Sequence, residues 1–139
     1  MAVKKVLARG WKLEIDDTGF KEVKGLTSLT FANAKEDADI TDFDSDGQQE
    51  HIPVQRGHSL SMEGFYLEDP ANGDRDPGQE AVETLGAETG YDGIGTFKMT
   101  SPGGTEKSFE ASAVVNSTGG GLNDPTGWSV ELKVTGAIT

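Results

Sequence analysis

Trp11, Leu13 and Ile15 alternate with Lys12, Glu14 and Asp16, the two-residue period of a strand with one face buried. Asp17-Thr18-Gly19 reads as a turn, with a return strand at Phe20–Val23. Over 26–34, Leu29 and Phe31 share one face while Thr30 and Ala32 share the other. From Ser59 to Glu68 the parity changes: Leu60 and Met62 lie on one face, Phe65 and Leu67 on the opposite one, with Gly64 at the change as a bulge or bend. One segment has helical spacing. Asp76 predicts an N-cap, Pro77 the first helical position and Gln79 a capping box, followed by an apolar stripe of Ala81, Val82 and Leu85 that Gly86 or Gly90 ends. Three strands follow. Ile94–Thr100 and Ser108–Asn116 form a hairpin round Pro102-Gly103-Gly104. The strongest alternation of the chain then runs Trp128, Val130, Leu132, Val134.

These elements predict a mainly β protein: an antiparallel β-sandwich or partly closed β-barrel with one flanking α-helix over about 76–86. The predicted core is Trp11, Leu13, Leu29, Phe31, Leu60, Val82, Leu85, Phe109, Val115, Trp128, Val130, Leu132 and Val134. Between the strand signals at 26–34 and 59–68, over residues 33–57, alternation is lost and Asp, Asn and Gly accumulate, which predicts a long loop.

A length of 139 residues suits one domain spanning 1–139, large enough for one real core. Nineteen glycines and a low apolar fraction of 34% favour short strands and turns over a helical bundle. Charge changes the picture more. Twenty-four acids against twelve bases leave a net charge of -12, which argues against a grip on nucleic acid or on anionic lipid, both of which need clustered Lys and Arg. The charge is also segregated. Seven bases (Lys4, Lys5, Arg9, Lys12, Lys21, Lys24, Lys35) fall in the first 35 residues, four of them in or beside a basic N-terminal segment, residues 1–9. Glu36–Glu50 then holds seven acids and no base. That asymmetry suits an acidic loop meeting a basic surface, or simply a solvated loop. No apolar run approaches the length of a membrane span, and Met1–Arg9 has no apolar core of signal-peptide length. With no cysteine, this points to synthesis in a cytoplasm.

Candidate chemistry is sparse. Asp42-Phe43-Asp44-Ser45-Asp46-Gly47 matches the opening of an EF-hand calcium loop, making Asp42, Asp44 and Asp46 candidate ligands, with Glu50 at the ninth position. Pro53 stands where the loop needs a bidentate Glu, so the signature is incomplete. His51 and His58, without cysteine, fall short of a zinc set. Gly57-His58-Ser59-Leu60-Ser61 lacks the closing glycine of a nucleophile elbow, and Gly103–Ser108 lacks the Gly-Lys-Ser/Thr of a phosphate loop. No catalytic set emerges, so no enzyme and no cofactor is expected, calcium being the one candidate.

The order of these features resembles the major tail tube protein of long-tailed bacterial and archaeal viruses. The carrying pieces are Lys24-Gly25-Leu26-Thr27-Ser28-Leu29-Thr30-Phe31, then Gly57-His58-Ser59-Leu60-Ser61-Met62-Glu63-Gly64-Phe65 running into Asp69-Pro70, then the helix from Asp76. The chain then ends as members of that family often do, with a strand (Phe109–Ser117), a turn holding Asn123-Asp124-Pro125 and a last strand closing on Thr135-Gly136. The resemblance implies a structural subunit of a virion tail, assembled in the host cytoplasm. Its copies build hexameric rings that stack into a negatively charged conduit, through which DNA passes without specific binding. Its partners are then itself and other tail proteins at the tube ends, with no membrane. It also implies that the segment matching Glu36–Pro53 contacts the next ring. The expected assembly residues are Lys4, Lys5, Arg9 and Lys12 on one side, and Glu36, Asp37, Asp39, Asp42, Phe43, Asp44, Asp46 and Glu50 on the other. The alternative is a calcium-binding β-sandwich adhesion or carbohydrate-binding module, motivated by the Asp42–Asp46 run.

Overall fold

The computed structural model describes residues 3–139, the side chain of Ser45 apart. Seven strands, β1 (Lys12–Asp16), β2 (Phe20–Glu22), β3 (Leu26–Asp39), β4 (His51–Phe65), β5 (Ile94–Thr100), β6 (Glu106–Gly119) and β7 (Gly127–Thr135), are flanked by one helix, α1 (Pro77–Gly86). The strands form one antiparallel sheet in the order β2-β1-β5-β6-β7-β4-β3, which is not closed. The mainly β architecture with a flanking helix is therefore as the alternation predicts.

The sheet rolls round its single apolar face until its two halves oppose each other like sandwich layers. Phe31 on β3 and Phe109 on β6 lie three strands apart, a separation of roughly 14 Å on a flat sheet at about 4.8 Å per strand, yet their ring centroids are 6.0 Å apart. Cross-strand partners share a face. Thus Phe31, Leu60, Leu132 and Ala113 form one inward row, and Leu29, Met62, Val130 and Val115 the next. The outward face carries Ser59, Ser61, Glu63, Glu131 and Lys133. All thirteen predicted core residues are buried or half-buried. Phe97 and Met99, absent from that set, complete the core from β5.

Helix α1 closes one end of the roll. Asp76 caps it by accepting a hydrogen bond from the Gln79 N–H at 3.2 Å. The Gln79 side chain does not return to the cap as a capping box requires. It turns inward, wholly buried, and its Nε2 donates to the Lys24 carbonyl (2.8 Å) and the Phe65 carbonyl (2.7 Å). Its Oε1 accepts from the Leu67 N–H at 3.1 Å. A Cβ on Gly78 would lie 2.2 Å from the Glu22 carbonyl oxygen, so only glycine lets the helix approach β2 this closely. Gly64 is fixed the same way, 2.3 Å from the Gly25 carbonyl by that measure. The parity change read at Gly64 is corrected: β4 keeps Leu60, Met62 and Gly64 inward and leaves Phe65 exposed, and the irregularity lies in the facing strand, as a register shift between Leu26 and Ser28.

The expected loop over 33–57 is corrected. Residues 33–39 belong to β3 and 51–57 to β4, paired from Asn33↔His58 to Asp39↔His51. Only 40–50 lie outside the strands, and they contain a 3-10 turn at Phe43–Ser45. The alternation that would have revealed these strands is missing because they face solvent on both sides.

Candidate functional site

The β3–β4 hairpin outgrows the sheet. β4 pairs with β7 only from Ser59 to Phe65, whereas its ladder with β3 continues to His51. Beyond that point the hairpin is a two-stranded arm. Its seven paired residues on β3, 33–39, span roughly 24 Å at about 3.4 Å per residue. Every described side chain from Ala32 to Gly57 is exposed except Ala38, which is half-buried.

The arm is polar lengthwise. One face carries Asn33, Lys35, Asp37 and Asp39 opposite His58, Arg56, Pro53 and His51. Near the root, Lys35 sits directly across from Arg56, a like-charge pairing that costs stability in isolation. Near the tip the face is acidic, with His51 Nε2 3.9 Å from Asp37 Oδ2. The other face is mixed: Ala34 opposite Gly57, Glu36 opposite Gln55, then Ala38 opposite Ile52. Ile40, Ile52 and Val54 are about half exposed.

The tip is organised by its own short side chains. Asp39 Oδ1 accepts from the Thr41 N–H (2.9 Å), and Thr41 Oγ1 bridges to Glu50. The Thr41 bonds hold the Asp39 carboxyl below its usual range. Asp42 Oδ1 accepts from the Asp44 N–H (3.0 Å), and Asp46 and Gly47 both take positive φ. Phe43 between them is fully exposed. Among the described residues no group of three or more His, Asp or Glu could hold a metal ion.

At the root, the open end of the roll, Ala8, Trp11, Leu29, Phe31 and Met99 line an apolar cavity of about 190 Å³. Next to it, sharing Phe31, is a polar cleft of about 310 Å³ whose lining includes Arg56, His58 and Lys107. His58 Nδ1 and Asn33 Oδ1 are 2.5 Å apart, and the His58 ring stacks on Phe31. Lys107 Nζ lies 5.8 Å from the Phe31 ring centre. Sequence reasoning passed over this cleft, because its cations come from strands far apart in the chain.

The expected assembly residues thus separate. Glu36, Asp37 and Asp39 lie on the arm's first strand, and Asp42, Phe43, Asp44, Asp46 and Glu50 at its tip. Lys12 opens β1 and Arg9 lies in a 3-10 turn beside the cavity, with Lys4 and Lys5 exposed before it. The part of the basic segment before Val3 lies outside the described residues.

This architecture, a rolled sheet with a helix at one end, is the fold of phage-like tail components. It matches a chain from the tail of an empty gene transfer agent particle solved with C6 symmetry, at a TM-score of 0.72 and 19% identity over 97% of this chain and 98% of that one. A chain from the virion of the native gene transfer agent particle matches at 0.72 and 17% identity, over the same shares. A chain from the six-fold symmetrised baseplate of the anti-feeding prophage matches at 0.65 and 12%, covering all of this chain and 96% of the other. No protein-family model and no curated protein sequence matches the chain. The likeness to tail tube proteins read in the sequence therefore holds in the fold.

Proposed function

We propose that the chain is the repeating structural subunit of a virion tail tube. Copies close into rings, six to a ring, and the rings stack into a conduit for DNA. The observation that carries this reading is the arm of residues 33–57. A two-stranded hairpin is marginal in water on its own, and this one buries almost nothing on its own body. A neighbouring subunit is the natural surface for it. The outer edge of β3, fourteen residues long at the end of the sheet, is a second unsatisfied feature that subunit pairing would cover.

The net charge of -12 fits a conduit. DNA binding draws on displaced counterions at basic contacts, and a wall of carboxylates repels phosphate, so the duplex slides without sticking. The acidic tip takes its countercharge from the adjacent ring. Stacking of this kind joins two unlike surfaces, which is what lets it propagate without closing. Other tail proteins cap the ends, and assembly takes place in the host cytoplasm. The role needs no catalytic step and no cofactor.

Negative-stain microscopy and sedimentation of concentrated protein test the reading. Rings or tubes are expected, and deleting residues 38–48 should abolish stacking. A chain that stays monomeric at high concentration overturns it, as does a deletion variant that builds tubes like the parent.

A further inference from the structure

The tip and the root of the arm carry opposite chemistries. The tip presents Asp42-Phe43-Asp44, an unburied aromatic ring between two carboxylates. The root presents an apolar cavity formed by Trp11, Leu29, Phe31 and Met99, with the Arg56 and Lys107 cleft along its edge. We propose that the root is a receptor for the Asp42–Asp44 tip of a second copy, Phe43 entering the cavity while the flanking carboxylates meet Arg56 and Lys107. The proposal rests on the tube reading and names the contact between rings.

Three observations support that occupant. The first is size: apolar cavities of about 150 Å³ accept benzene, so about 190 Å³ accommodates a phenyl ring. The second is charge. Among the described residues no carboxylate lies within ion-pair distance of Lys35, Arg56 or Lys107. Lys35 and Arg56 nevertheless face each other across the ladder. Such crowding of unpaired cations is relieved by an anionic partner. The third is geometry. Root and tip sit at opposite ends of one arm, so the two cannot satisfy each other within a chain, whereas a copy displaced along the arm brings them together. Repetition of that displacement gives an open stack. In this arrangement the countercharge comes from Arg56 and Lys107, not from Lys4 and Lys5.

The test is charge reversal on the full chain, read as the concentration at which tubes form. Arg56 and Lys107 are exposed, so Arg56→Glu with Lys107→Glu should leave thermal unfolding of the subunit unchanged and still abolish stacking. Asp42→Lys with Asp44→Lys should do the same, and all four changes in one chain should restore tubes. Phe43→Ala should raise the assembly concentration about tenfold or more, the value of burying one aromatic side chain. Lys4→Glu with Lys5→Glu should leave stacking intact. If the parent forms tubes and the Arg56/Lys107 variant does too, the receptor is elsewhere. If only the Lys4/Lys5 variant is blocked, the N-terminal segment is the acceptor. A parent that never assembles overturns the tube reading along with this contact.

Discussion

Gln79→Leu is the most informative single change in the body of the protein. Gln79 joins three parts of the chain: helix α1, the connection entering β3 at Lys24, and the segment leaving β4 at Phe65 and Leu67. Leucine fills similar space and removes the polar end. Two carbonyls and one N–H then lose their partner, and leaving a buried polar group unsatisfied costs about 1–3 kcal/mol. Lys24 and Phe65 are themselves exposed, so water reaches part of the site and the low end applies, about 1 kcal/mol per group. The expected loss is about 3 kcal/mol, or about a hundredfold in the folding constant at 1.4 kcal/mol per decade. Urea unfolding of the subunit below its assembly concentration measures it, as a lowered midpoint at constant slope. A Gln79→Leu variant within 1 kcal/mol of the parent refutes this account.

Gly78→Ala drives a methyl into the Glu22 carbonyl and should cost about 2 kcal/mol or more by the same unfolding assay. Glu83 accepts bonds from Arg75 and Trp128, and the Arg75 bond above all holds its carboxyl below the ordinary 4.5. Its contribution is complete above pH 4.5 and lost as the pH falls through the lowered folded value. Glu83→Gln should thus cost about 2 kcal/mol at neutral pH, with the gap to the parent closing in acid across a series of melts. Hydrogen exchange by mass spectrometry should find the amides of 33–39 and 51–57 exchanging faster than those of 59–65 in the free subunit, and about tenfold or more slower once tubes form.

What the sequence revealed follows burial. β7 was readable from Trp128 to Val134 because its inward positions are sealed and the intervening ones reach solvent at least in part, so the two-residue period is written into the side chains, whereas β5, which leaves no position fully exposed, was read without its core residues Phe97 and Met99. The N-cap at Asp76 and Pro77 was readable because capping is local chemistry. The arm was not. Its strands bury neither face, and Glu36, Asp37 and Asp39 are poor strand formers that pair only because the opposite strand is already in register from the core. Gln79 misled in a different way. Its spacing from Asp76 fits a local cap, but the Lys24 and Phe65 carbonyls drew its side chain inward. The root cleft joins Arg56 on β4 to Lys107 on β6, and no spacing along the chain reports a neighbourhood made by rolling the sheet.

The arm begins where the core ends, at Ala32 and Ser59, and this separates two kinds of inheritance. Substitutions in the roll answer to packing within the chain, whereas under the proposed contact those in residues 33–57 answer to a second copy of the same gene product. Lengthening both strands of the arm by two residues keeps its faces in place, and a one-residue change exchanges them. Under the proposed contact, an even change in arm length is the kind expected to be tolerated while the body is left untouched. If tip and root meet as proposed, they are encoded together, and a lineage that alters one is compatible only with descendants carrying the matching change in the other. Two related particles maturing in one cell would sort their subunits by the arm, even with interchangeable bodies.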